Sequence, residues 1–207
     1  DPDNTHGPTW FVEGLMYHQS PVRTWIEQGM TLDRFAAFTA SSSGMGLLTT
    51  YVPPLIREGK TVGVDERVVR LAFAFSLLHD LVPDLYRISG GGQSKLPEAI
   101  RRVLLEEVAF ADPAAEWIRY WRNADVLACS DARVAIGGYI HPGRDRALLV
   151  VVNPTDGPVE VTVDLREALL GRAPQRVIEA DTEAPVADSG SFSLVLPGNG
   201  VRYLLVN

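Results

Sequence analysis

Apolar and polar positions are most regular between residues 146 and 165. Residues 148–152 form an unbroken apolar run, Leu-Leu-Val-Val-Val, while over residues 159–165 apolar and polar side chains alternate. The first pattern predicts a strand buried on both faces. The second predicts a half-buried strand with Val159, Val161, Val163 and Leu165 on one side. Between them lies Asn153-Pro-Thr-Asp-Gly-Pro158, dense in residues that fix or free backbone φ, so the two strands are expected to form an antiparallel hairpin. Residues 134–141, 176–180, 192–196 and 201–206 add four strand candidates at short spacing, with Gly- and Pro-containing turns between them. Together these six predict a small antiparallel β-sandwich over residues 126–207.

The first 125 residues have a different rhythm. Residues 10–15 and 47–52 read as strands, with a weaker third at 85–88. Helices are expected over 21–28, after a cap at Thr31, from the cap Asp65 to about Asp80, over 97–110, and again after Asp112-Pro113. The helix after Asp65 is apolar on nearly every side, the pattern of a helix covered by neighbours. The last one would place Trp117, Ile118 and Trp121 on one face. Strands alternating with helices imply right-handed βα units around a parallel sheet. Three such strands are too few to close a barrel, which takes eight. Residues 1–125 are therefore expected to be the last βα units of a TIM-type barrel. The fold class is α/β plus all-β, and the chain, which starts at Asp1 without Met, is expected to be a piece of a longer polypeptide.

Composition narrows the function classes. A net charge of -7 argues against a nucleic-acid surface, which needs clustered Lys and Arg. The single Cys129 excludes an internal disulfide and a Cys-based zinc site. No apolar run reaches the length of a membrane span. No cofactor signature is present either: Ser41-Ser-Ser-Gly-Met-Gly46 lacks the Lys-Ser/Thr of a phosphate loop, and Ser89-Gly-Gly-Gly-Gln93 lacks dinucleotide spacing.

Five segments occur in a recognisable order: Trp117-Ile-Arg-Tyr-Trp-Arg-Asn123, the Tyr139-Ile-His-Pro-Gly143 turn, Leu148-Leu-Val-Val-Val-Asn153, Val159-Glu-Val-Thr-Val-Asp-Leu165 and the closing stretch from Leu194 to Val206. In these the chain resembles the C-terminal part of a bacterial glycoside-hydrolase-like protein of the family 123-like group, a (β/α)8 barrel followed by a β-sandwich. The resemblance implies a carbohydrate substrate, acid/base hydrolysis of a glycosidic bond, and a remainder of the barrel that completes the site.

Under that resemblance Glu13 is the candidate catalytic carboxylate, near the end of a strand where barrel active sites lie. Glycoside hydrolysis uses two carboxylates, roughly 5 Å apart for retention and about 6.5–9.5 Å apart for inversion, so the partner of Glu13 is expected upstream. His6, Trp10, Tyr17 and His18 flank the same strand as candidate substrate-binding residues, Trp10 through its ring face, or they form an ordinary loop. His6 and His18 lack acidic partners at metal-ligand spacing, so no metal site is expected. His79-Asp80 is read as a helix end rather than a dyad, because adjacent helical residues point apart, with His79 placed where the helix dipole favours a cation. Trp117 and Trp121 are either a sugar platform or packing between barrel and sandwich. Tyr139 and Phe192 are expected to face the core, which leaves the sandwich few aromatics for sugar and keeps a non-catalytic, structural role for it open.

Overall fold

The computed structural model describes residues 31–33, 36, 50–51, 56–57, 60–61, 66–83 and 94–207. The chain divides into two compact units, Asp1–Pro97 and Glu98–Asn207.

In the first unit, strand β1 (Thr50–Tyr51) pairs in parallel with β4 (Val82–Pro83), in the register Thr50 to Val82 and Tyr51 to Pro83. Helix α1 (Glu66–Leu78) lies between them in sequence. Parallel neighbours need such a crossover. As the sequence pattern predicts, α1 is covered: Leu71, Phe73, Phe75, Leu77 and Leu78 are all buried. Between β1 and α1 the chain carries a short antiparallel pair, β2 (Ile56–Arg57) with β3 (Lys60–Thr61). The strand expected at 85–88 lies outside the described residues, as do the expected strand at 10–15, the helix at 21–28 and the cap Asp65; the short strand in that region is β4, a few residues earlier.

The second unit opens with helix α2 (Leu96–Arg102), whose sequence bounds start just before it, and continues as a π-helical turn, Val103–Glu107. The Val108 N–H donates to the Val103 carbonyl at 3.0 Å, the wider i to i+5 bond. Ile100, Val103, Leu104 and Val108 are buried, the inward set that the spacing predicts.

The rest is a sandwich of two antiparallel sheets. Its strands are β5 (Glu116–Ile118), β6 (Leu127–Cys129), β7 (Ala135–Ile140), β8 (Ala147–Val152), β9 (Val159–Leu165), β10 (Val177–Glu179), β11 (Pro185–Ala187), β12 (Ser191–Leu196) and β13 (Val201–Val206). One sheet has six strands in the order β11-β10-β13-β8-β7-β5, and the other three, β12-β9-β6. Alternate side chains of both sheets (Ile136, Leu149 and Leu204 from one, Val161, Val163 and Leu194 from the other) meet in a single apolar core.

Two expectations are corrected here. The strands β8 and β9 do not form a hairpin. The first pairs with β7 and β13, the second with β12 and β6. Their unlike patterns have a physical reason: β8 is buried at every position and lies in the middle of the six-stranded sheet, whereas β9 exposes every second residue. The six-residue loop between them crosses from one sheet to the other, and sheets pack about 10 Å apart. Nor does Asp112-Pro113 start a helix. The Asp112 carboxylate accepts from Ala114 N–H at 2.8 Å, so the capping signal closes a turn instead. The residues that follow become β5, an edge strand paired with β7 through Trp117 to Tyr139.

Two positions fix the sandwich locally. Gly138 has φ +144°, and a Cβ there would lie 1.9 Å from the Leu148 carbonyl oxygen, so only glycine fits. Asn153, at the end of β8, is fully buried. Its amide donates to the carbonyls of Gly157 and Pro197, both at 2.8 Å, and its Oδ1 accepts from Thr155 N–H and Oγ1–H at 3.0 and 2.7 Å. It thereby fastens the crossing loop to the β12–β13 turn.

Candidate functional site

Glu13, His6, Trp10, Tyr17 and His18 lie outside the described residues, and so does the segment 89–93. Chemistry-bearing side chains elsewhere fall into three groups.

The first is His79, directly after α1. It is buried, and its Nδ1 lies 2.7 Å from the Phe75 carbonyl oxygen, which fixes the ring against its own helix. Burial lowers its pKa below the ordinary 6.5, outweighing the backbone carbonyls and Asp33 that favour the charged form. The expectation of a helix-end cation is thus corrected: burial works against the charged ring. Asp80, by contrast, is exposed with φ +56°, so the adjacent pair diverges.

The second group is aromatic. Trp117 lies on β5 rather than on a helix, half-buried, with Trp121 edge-on at 5.5 Å. Tyr120 meets Trp121 at 4.8 Å, also edge-on, and the Arg119 guanidinium lies 5.4 Å from the Trp117 ring centre. The rings meet at nearly right angles, with Trp121 exposed, so they form an edge-on cluster and not a coplanar platform. Phe192 is buried in the core, as expected; Tyr139 is buried as well, but on the far side of its sheet, where it meets Phe110 edge-on.

The third group was not singled out by sequence reasoning. A cavity of about 480 Å³ opens between the π-helical turn, the turn at 141–146 and the outer face of β10 and β13. Its floor is apolar, from Val103, Ile178 and Leu205. Its walls carry three guanidinium groups and three carboxylates. Arg102 pairs with Glu183 at 2.9 Å, and Arg146 pairs with Glu107. Asp145 Oδ1 lies 2.5 Å from His141 Nδ1, and Oδ2 lies 3.7 Å from Arg146 Nε. Burial raises the Asp145 pKa, but its backbone hydrogen bond, His141 and Arg146 together outweigh that and leave it below the ordinary value. The pairs Arg146–Glu107 and Arg102–Glu183 join residues 39 and 81 positions apart, a juxtaposition that follows from sheet topology and leaves no local pattern in sequence. The volume falls within the range of about 300–1,000 Å³ usual for small-molecule sites.

Among the described residues no group of three or more His, Cys, Asp or Glu side chains could hold a metal ion, and no helix is long and apolar enough to cross a membrane.

No family model matches this chain, and no curated protein matches it. Solved structures similar to it are glycoside hydrolases. An α-galactosidase I from Mortierella vinacea is 11% identical, with 84% of this chain and 43% of that one covered at a TM-score of 0.49. A GH30 endoxylanase from Clostridium papyrosolvens C71 is 12% identical, with 86% and 47% covered at a TM-score of 0.46. A GH27 β-L-arabinopyranosidase from Geobacillus stearothermophilus, solved with arabinose, is 10% identical, with 77% and 36% covered at 0.47. The chain spans less than half the length of each of these proteins. Similarity at this level fixes neither activity nor substrate.

Proposed function

We propose that this chain is the C-terminal part of a glycoside-hydrolase-like, carbohydrate-active protein of the family 123-like group. In this reading residues 1–125, apart from the sandwich edge strand Glu116–Ile118, belong to the last βα units of a (β/α)8 barrel, and residues 126–207 to an accessory sandwich. Glu13 acts as general acid or base on the glycosidic oxygen or on water, and the second carboxylate comes from barrel units outside these residues. His6, Trp10, Tyr17 and His18 form the rim that holds the sugar.

The observation that carries the reading is the parallel pairing of Thr50–Tyr51 with Val82–Pro83 across helix Glu66–Leu78. A parallel crossover unit followed by an antiparallel sandwich is the order of elements that the reading requires.

The test is an aryl-glycoside screen on two polypeptides. The 207 residues alone are expected to give no turnover. A longer polypeptide that adds the upstream barrel units is expected to turn over, and Glu13→Gln to lower its kcat by about 10²–10⁴-fold. Full activity in that variant would remove Glu13 from the chemistry.

One observation favours a second reading, in which the sandwich is a non-catalytic stability module. Two of its sheet carboxylates are engaged structurally, Glu116 with Arg144 and the buried Glu179 with Arg202. The two readings agree for residues 126–207 and differ for the barrel units. Lack of turnover in the longer polypeptide as well would favour the second.

A further inference from the structure

The cavity beside the π-helical turn holds one guanidinium whose donors are almost unused. Arg172 follows the 3-10 turn Glu167–Leu169 and Gly171, whose φ of +69° turns the chain there. Its Nη2 donates to the Asp145 carbonyl oxygen at 3.3 Å, and among the described residues it makes no ion pair. A guanidinium carries five N–H donors in a planar fork, so most of that fork faces the cavity's occupant or water. The other two guanidinium groups are neutralised by Glu183 and Glu107.

We infer that this cavity binds a small ring-bearing monocarboxylate, with Arg172 as the anion's bidentate partner. A carboxylate matches the guanidinium fork in geometry and charge. The wall carboxylates Glu107, Asp145 and Glu183 set the limit on charge: they tolerate one negative charge at Arg172 and repel a dianion. The apolar floor of Val103, Ile178 and Leu205 suits the carbon face of a ring. A π-helical wall is a further mark of a binding site, since such turns recur where proteins do chemistry or bind ligands. The inference is independent of the proposed role of Glu13, which lies outside the unit that forms this cavity.

The experiment is an NMR titration of the full 207-residue chain with sodium D-glucuronate, with glucose and inorganic phosphate as parallel arms at equal ionic strength. Glucuronate is expected to give saturable shifts at residues 102, 146 and 172. Arg172→Gln is expected to weaken its binding by about tenfold or more, as loss of a charged hydrogen-bonded pair does. Arg122→Gln, which removes one exposed positive charge away from the cavity, is expected to leave it unchanged. Any one of three results overturns the inference: no saturable shift, equal affinity in Arg172→Gln, or binding of glucose or phosphate as tight as that of glucuronate.

Discussion

The two sheets of the sandwich use the same residue types in opposite ways. In β8 all six residues are buried, its neighbour β7 is equally closed and β13 nearly so, whereas β9 buries Val159, Val161, Val163 and Leu165 and exposes the three residues between. Both sheets contribute to one core through their facing sides. Only the larger sheet is also closed on its far side, where Tyr139, Leu148 and Leu205 form a cross-strand row and Phe110 meets Tyr139 edge-on at 6.0 Å. The smaller sheet shows its far side to solvent with Thr162 and Ser193, which bond each other at 3.2 Å. An unbroken apolar run therefore marks a strand with structure on both faces, and alternation marks one with water on the other. The cavity lies on the closed side, because only a doubly covered sheet offers walls there.

Substitutions can break this contrast in graded steps. The largest effect is expected from Gly138→Ala. The backbone of Leu148 occupies the space a Cβ needs, and the φ is one that L-residues avoid, so the loss is about 3 kcal/mol or more, read by urea denaturation. Next come paired deletions in β8. Leu148→Ala on the outer face and Leu149→Ala on the inner are each expected to cost about 2–5 kcal/mol, since both leave a cavity. In β9 the same comparison splits: Val161→Ala destabilises by about 2 kcal/mol, while its neighbour Thr162→Ala stays within about 0.5 kcal/mol. Asn153→Ala follows at about 2 kcal/mol, because the carbonyls of Gly157 and Pro197 lose their donors where the two sheets are fastened together.

The smallest effect lies in the turn that joins the sheets. Arg133 binds the Asp131 carboxylate and donates to it through its backbone N–H as well, which lowers that group's pKa from 3.8 to about 2. A depressed carboxylate pKa means that the folded chain holds the ionised form more firmly. Its contribution is present above pH 3.8 and is lost as pH falls through about 2. A carboxyl-carbon NMR titration should place the midpoint near 2, and Arg133→Gln should return it toward 3.8.

Six sandwich strands are legible in the sequence because their patterns are local: runs, alternations and turn formers. The three missed strands, β5, β6 and β11, are three-residue strands at sheet edges, where little forces a buried pattern; β10 is as short but lies inside its sheet and keeps the apolar pair Val177-Ile178. The false hairpin has a similar origin. Periodicity shows that two neighbouring segments are strands, but their partners are set by packing across the whole unit. At Asp112-Pro113 a genuine capping residue was available, yet the tertiary pairing of Trp117 with Tyr139 overrode the helical start. The cavity left no trace at all in sequence, since Arg146 meets Glu107 across 39 positions and Arg102 meets Glu183 across 81.

Amide hydrogen exchange, resolved by residue across the second unit, measures the contrast between the sheets directly. The amides of Ala147–Val152 should exchange only when the whole unit unfolds, and those of Leu127–Cys129 and Ser191–Leu196, on the edges of the open sheet, should exchange earlier by local opening. Equal or faster exchange along Ala147–Val152 would contradict the doubly covered sheet and the cavity walls that depend on it.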